Sequence, residues 1–178
     1  MSLQISFGTC NLGTERQAVP NPFGGKDVEV FVDRGLTETE HRDALAFIAK
    51  LDAKGPDEEG CYFVSFPDAT LHFFWTVTPN QPFDVCLVET GWMTPHVRNF
   101  LIGLSRASNM YMQIPLHEEL TVVTSKEQLN AIRGRFPTAH LVSNEAELKA
   151  LFESHDHAPL KSSSNGIWRQ FMDLIRFR

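Results

Sequence analysis

Cys61-Tyr-Phe-Val-Ser-Phe-Pro-Asp-Ala-Thr-Leu-His-Phe-Phe-Trp-Thr-Val-Thr78 is the stretch on which the fold turns. Residues 61–67 and 70–78 read as two strands of an aromatic hairpin reversing across Pro67-Asp68-Ala69-Thr70. In the second strand Leu71, Phe73, Trp75 and Val77 share one face, while His72, Phe74 and Thr76 share the other. A sheet with one strongly apolar face needs a layer laid over it. The spacing on either side of the hairpin supplies that layer.

Upstream, Thr37 and Glu40 form a capping box. Ala44, Leu45, Ile48 and Leu51 then recur at helical spacing, predicting a helix over 38–54 stopped by Gly55-Pro56. Downstream, residues 83–89 read as a strand. Thr94-Pro95 then starts a helix reaching about Tyr111, with Val97, Leu101, Leu104 and Ala107 or Ser108 as its buried stripe. Residues 4–10 predict a first strand, 11–26 a loop, and 27–33 a strand solvated on one side. In that last strand Val28, Val30 and Val32 oppose Asp27, Glu29 and Asp33, and Phe31 interrupts the charged face.

Past residue 120 the grammar becomes strand-helix-strand-helix. Val123-Thr124-Ser125 and Val142-Ser143-Asn144 repeat at an offset of nineteen residues, each with a cap and an i, i+3 stripe. Two such units favour a right-handed crossover and parallel pairing. The fold expected is therefore α+β: a mostly antiparallel sheet with helices packed on one face, extended by a βαβα segment at about 120–155 and a C-terminal helix. Residues 1–160 read as one domain, and 161–178 as a polar linker followed by an amphipathic helix.

The chain has 178 residues, long enough to bury roughly 70% of its extended surface without disulfides or metal. A mean hydropathy of -0.20 and 14 Phe exclude disordered and low-complexity classes. Net charge is -6, unevenly placed: residues 1–90 carry six basic and fourteen acidic side chains, and residues 91–178 carry ten basic and eight acidic. An acidic first half repels a phosphate backbone, so nucleic acid is not an expected partner. Cys10, Cys61 and Cys86 are odd in number and have no CxxC spacing. With no signal-like segment and no apolar run long enough to span a bilayer, cytoplasmic location is expected, away from membranes.

No glycine-loop, GxSxG, HExxH or EF-hand signature occurs. The remaining glycine loop, Phe23-Gly24-Gly25-Lys26, has no helix behind it and reads as a turn. Carboxylates beside Cys61 argue against a nucleophilic thiol there. His155-Asp156-His157 suggests metal ligation only if its helix has ended, and the spacing supplies no fourth ligand. No metal or other cofactor is expected.

Two places invite binding. The strand-to-helix junction 89–98 gathers Glu89, Trp92, His96 and Arg98 beside a helix N-terminus, with His96 as the candidate acid/base. The terminal helix presents Trp168, Phe171, Met172 and Ile175 ringed by Arg169, Arg176 and Arg178. Such a stripe serves a partner's groove or a homodimer, or closes over the chain's own sheet. The reading favoured is a non-enzymatic cytosolic protein-binding module, of adaptor or neutralising type. It meets a basic protein through an acidic surface that includes Asp27, Glu29 and Asp33, with Asp57, Glu58 and Glu59 on the same side. The alternative is a small-molecule binder or enzyme built at 89–98.

Overall fold

β1 (Leu3–Thr9) occupies the interior of an eight-stranded sheet. The computed structural model describes residues 2–21, 25–82, 86–116 and 119–155. In chain order β1 is followed by β2 (Arg16–Val19), β3 (Val28–Phe31), α1 (Glu38–Ile48), β4 (Ala53–Lys54), β5 (Cys61–Ser65), β6 (Thr70–Trp75) and β7 (Cys86–Thr90). Then come α2 (Pro95–Ser108), β8 (Met110–Pro115), β9 (Glu119–Val123), α3 (Lys126–Ile132), β10 (His140–Leu141) and α4 (Glu145–His155). The sheet order is β10-β9-β8-β1-β7-β6-β5-β4. Every described neighbour pair in it is antiparallel except β10 with β9, which is parallel.

The hairpin alternation carries through to the core. Leu71, Phe73 and Trp75 are buried with Ile5 and Phe7 of β1, Cys86 and Val88 of β7, and Met112 and Ile114 of β8. Over this face lie α1, α2 and α4, contributing Ala44 and Ile48, the stripe Val97, Phe100, Leu101 and Leu104, and Leu148. Fully burying each of these larger side chains stabilises by roughly 1.5–3 kcal/mol. Phe100 meets both layers, its ring 5.9 Å from Phe47 of α1 and 5.7 Å from Phe73 of β6. On the reverse face α3 covers only the β8–β10 end, where Ile132, Tyr111, Val123 and Cys10 form a second cluster. Gly8 makes room there: a Cβ on it would sit 2.2 Å from the Tyr111 ring.

The local signals for helix starts hold in detail. Thr37 Oγ1 accepts from Glu40 N at 3.2 Å, and Glu40 Oε2 accepts from Thr37 N at 2.8 Å. Thr94 caps α2 ahead of Pro95, and Ser125 forms a reciprocal box with Gln128 on α3. At the start of α4 Asn144 Oδ1 accepts from Glu147 N at 3.0 Å, while the Glu147 carboxylate accepts from Asn144 Nδ2 at 2.8 Å and from Ser143 N at 2.7 Å.

The hairpin strands end at Ser65 and Trp75 rather than 67 and 78, and four larger differences from the sequence reading follow. Helix α1 ends at Ile48 rather than 54, because the free edge of β5 offers ladder partners that Ala53 and Lys54 take up as β4. Helix α2 ends at Ser108 rather than 111, where Asn109 adopts φ 51°, the left-handed conformation that closes a helix. The chain then enters β8 directly, a strand missing from the sequence reading and the partner of β1 along Ser6 to Thr9. Lastly, residues 27–33 do not pack one face on a core. β3 pairs only with β2, inside the expected loop, and Val28 and Val30 stay 42% and 40% exposed.

Among the described residues no helix is long and apolar enough to cross a membrane. The expected C-terminal helix, with Trp168, Phe171, Met172 and Ile175, lies outside the described residues, as do Asp156 and His157.

Candidate functional site

The junction 89–98 sits where β7 leaves the sheet for α2, and its residues divide among three settings. Trp92 is 76% exposed on a turn fixed by Thr90, whose hydroxyl donates to Trp92 O at 3.0 Å and accepts from Trp92 N at 3.3 Å. His96 lies against the β5–β6 turn: its Nδ1 is 2.9 Å from Asp68 Oδ2, and its ring stacks on Phe66 at 5.8 Å. Thr94 Oγ1 donates to the other Asp68 oxygen at 3.0 Å. The hydrogen bond from His96, followed by that from Thr94, holds the Asp68 carboxyl below its ordinary value.

Arg98 points elsewhere. Two residues along a helix, side chains are rotated by about 200°. Arg98 is accordingly buried between α2 and α4, its Nε donating to Glu145 Oε1 at 2.6 Å and another guanidinium nitrogen to Met93 O. Glu89 stands on the reverse face of the sheet, in register with His72 of β6 and Gln4 of β1. The structure thus joins His96 to Asp68 and Thr94, and brings neither Arg98 nor Glu89 to them.

The opposite end of the sheet holds the Asp57–Glu59 turn and the base of the β2–β3 ribbon. Because β1 runs antiparallel to β7 and β8, its C-terminus meets their starts, with Phe7 opposite Cys86 and Thr9 opposite Met110. Trp75, also opposite Cys86, and Cys61, opposite Phe74, bring the end of β6 and the start of β5 to the same edge. The Asp57-Glu58-Glu59 turn therefore lies at this end, with Trp75 N donating to Gly60 O at 3.0 Å. The β2–β3 ribbon with Asp27 and Glu29 hangs from it as well. Val32 N donates to Glu15 O at 3.0 Å, and Gly13 N to Asp33 Oδ1 at 2.9 Å.

No protein-family model, curated protein or solved structure matches the chain.

Between the 10–15, 32–37 and 80–82 segments of this acidic end opens a cleft of about 670 Å³, edged by Asn11, Thr14, Glu15, Arg34, Asn80 and Gln81. A second, small pocket of about 30 Å³ lies on the reverse sheet face beside Leu87 and Glu119. Neither is lined by Trp92, His96 or Arg98.

Several of the acids also hold the fold. Asp33 receives both its oxygens' contacts from Arg135 Nη1 at 2.7 Å, while Arg135 Nη2 donates to Gly13 O at 2.8 Å. Glu29 pairs with Arg16 at 3.2 Å. The guanidinium groups of Arg16 and Arg135 lie 4.8 Å and 4.4 Å from the centroid of Phe31, which explains an aromatic ring on a charged strand. Asp57 Oδ1 accepts from Glu59 N and Cys61 N at 3.0 and 2.8 Å, closing its turn. Asp27, Glu58 and Glu59 are exposed.

The cysteines are poor nucleophiles. Cys10 borders the cleft but is buried, and burial with the nearby Glu40 charge pushes its thiol up to about 12. Burial raises Cys61, with Asp57 adding to it, and burial alone raises Cys86. Among the described residues no three His, Cys, Asp or Glu side chains cluster as metal ligands. The His155 ring instead packs edge-on to His140 at 6.0 Å.

Three side-chain contacts escaped the sequence reading. Asp68 partners His96 from 28 residues away, Arg135 grips Asp33 across 102, and Glu40 accepts from Asn11 and Asn109 besides its capping contact. Only Glu40 carried a local signal, the capping box. The other two depend on the sheet bringing distant turns together.

Proposed function

We propose that the protein is a non-enzymatic binding module of the cytoplasm that receives a basic protein surface at the acidic end of its sheet. The observation supporting this is the strand register, which brings the 10–15 segment and the Asp57–Glu59 turn to one end of the sheet, where the base of the β2–β3 ribbon at Asp33 also lies. The first ninety residues carry a charge of -8, and the exposed acids Asp27, Glu58 and Glu59 would steer a cationic partner by their field. Backbone and amide groups of Asn11, Asn80 and Gln81 at the edge of the 670 Å³ cleft suit an extended protein segment better than a phosphate chain. Three free, buried thiols accord with a reducing compartment.

The test is capture from source-cell lysate with the full chain as bait, followed by association rates of each retained protein against ionic strength. The reading expects partners of high pI whose association slows steeply as salt rises from low to physiological strength. Neutral or acidic partners, or rates independent of salt, overturn it.

One observation favours the second reading, small-molecule binding or catalysis at the 89–98 junction. Asp68 holds His96 through Nδ1, which leaves Nε2 for proton transfer. That site would be built on His96, Asp68 and Thr94, without Arg98.

A further inference from the structure

The β2–β3 ribbon stands outside the eight-stranded sheet, and among the described residues its two strands pair only with each other. Two strands of four residues are marginal in water, and a third strand is the usual remedy. Register sets the two faces. Val28 and Val30 lie with Gln17 and Val19 on one, and Glu29 and Phe31 lie with Arg16 and Ala18 on the other. Val28, Val30 and Phe31 are each 40% exposed or more. The outer edge of β3 is open too. Val32 N donates to Glu15 O, so antiparallel alternation turns the N–H and C=O of Val28, Val30 and Val32 inward to β2. Those of Glu29 and Phe31 point away from β2, along an edge that no described strand meets.

We propose that the basic partner enters at this edge, as an extended segment that adds a third strand to the ribbon against β3. This rests on the basic-partner reading above and gives the form in which that partner is received. Unpaired ladder groups select an extended backbone over a helix or a convex surface. Side-chain alternation then fixes the pattern: basic residues opposite Asp27 and Glu29, apolar ones opposite Val28 and Val30. Asp27 is exposed and makes no ion pair among the described residues. Arg16 partly offsets Glu29 at 3.2 Å, but it stands on β2. The added strand would lie about 4.8 Å from β3 and twice that from β2, so the acids are its nearer charges. A second copy fits less well. In a two-fold pairing that keeps the outward ladder, the axis passes beside Glu29, Val30 or Phe31. Glu29 then faces Glu29, Asp27 faces Asp33, or Glu29 faces Asp33. Like charges directly opposite destabilise a strand pair.

The test titrates the isotope-labelled full chain with a synthetic peptide, Lys-Val-Lys-Val-Lys-Val-Lys, and follows the backbone amides by NMR. The amides of Glu29 and Phe31 should shift and exchange more slowly with solvent. With lysines opposite Glu29, lysine N–H groups point at β3 and valine N–H groups away from it. N-methylation of the lysine amides should therefore weaken binding about tenfold or more, and N-methylation of the valine amides should leave it within about twofold. Asp27→Lys/Glu29→Lys in the protein should weaken it about tenfold. Equal binding by the two N-methylated peptides, or by a peptide with the same lysines and valines in blocks, would show attraction without an added strand. That result overturns this inference and leaves the basic-partner reading standing. Unmoved Glu29 and Phe31 amides on titration with the alternating peptide overturn it as well. Neutral or acidic partners in the lysate capture remove the reading itself.

Discussion

Arg98 illustrates how a polar side chain at a helix start is diverted from ligand to clamp. Its sequence position, four residues after a cap and beside Trp92, is that of an anion-binding arginine. Its rotation about α2 instead aims it at Glu145 and Met93 O. Arg98→Ala would strand Glu145 between two helices and should cost about 3 kcal/mol, read as a lower denaturant midpoint at unchanged slope. A midpoint within error of wild type would return Arg98 to the candidate site. Asp68 is a second residue with a directional consequence. Its folded pKa lies below the ordinary 3.8, so its contribution to stability is fully present above that value and lost as pH falls through the folded one. An Asp68→Asn variant should therefore differ from wild type at neutral pH and converge with it at acid pH, once the carboxyl is protonated in the folded state too. Parallel stability curves into that acid range would show that the His96 contact does not favour the ionised carboxylate.

At the scale of elements, helix starts were legible because each is written within four residues. Thr37 with Glu40, Thr94 with Pro95 and Ser125 with Gln128 all cap as their spacing implies. Strand pairing was less so. β8 had the needed alternation, with Met110, Met112 and Ile114 inward, yet a run of methionines after a helix also fits more helix. Asn109 was the local stop signal. β4 exists only because β5 has a free edge, which no window around Ala53 contains. Glu40 shows how an element signal can understate its residue. Besides closing the capping box, it accepts from Asn11 Nδ2 at 2.8 Å and Asn109 Nδ2 at 2.7 Å, tying α1 to the end of β1 and the end of α2. Thr37→Ala should cost about 1 kcal/mol, the usual loss of a cap. Glu40→Ala should cost about 2–3 kcal/mol, since it also strands two amides. Equal losses in thermal or denaturant unfolding would mean that the two Asn contacts add nothing to the cap.

For the whole molecule, the α+β class and the antiparallel sheet followed from the hairpin at 61–78 and the helices either side of it. Which residues share an end of that sheet did not, because it depends on strand order. β1 lies between β7 and β8, both far along the chain, and this brings the 10–15 segment to the same edge as the Asp57–Glu59 turn. That edge carries Glu15 and Asp33 with Arg34 and Arg135, and the exposed acids Glu58 and Glu59. His96 and Trp92 lie at the other end of the strands, so the two readings of function occupy opposite poles and can be mutated separately.

That separation makes one measurement decisive: binding of the captured partner to wild type, to Asp27→Lys/Glu58→Lys/Glu59→Lys, and to His96→Ala/Trp92→Ala. The three acids chosen are exposed, and none supplies the turn-closing or Arg135 contacts made by Asp57 and Asp33. Reversing them should weaken binding by about tenfold or more at low salt, with the loss shrinking as salt is raised, while the His96/Trp92 variant binds as wild type. Full affinity in the charge-reversed protein, with binding lost in the His96/Trp92 variant, would contradict the account and move the site to the opposite end of the sheet.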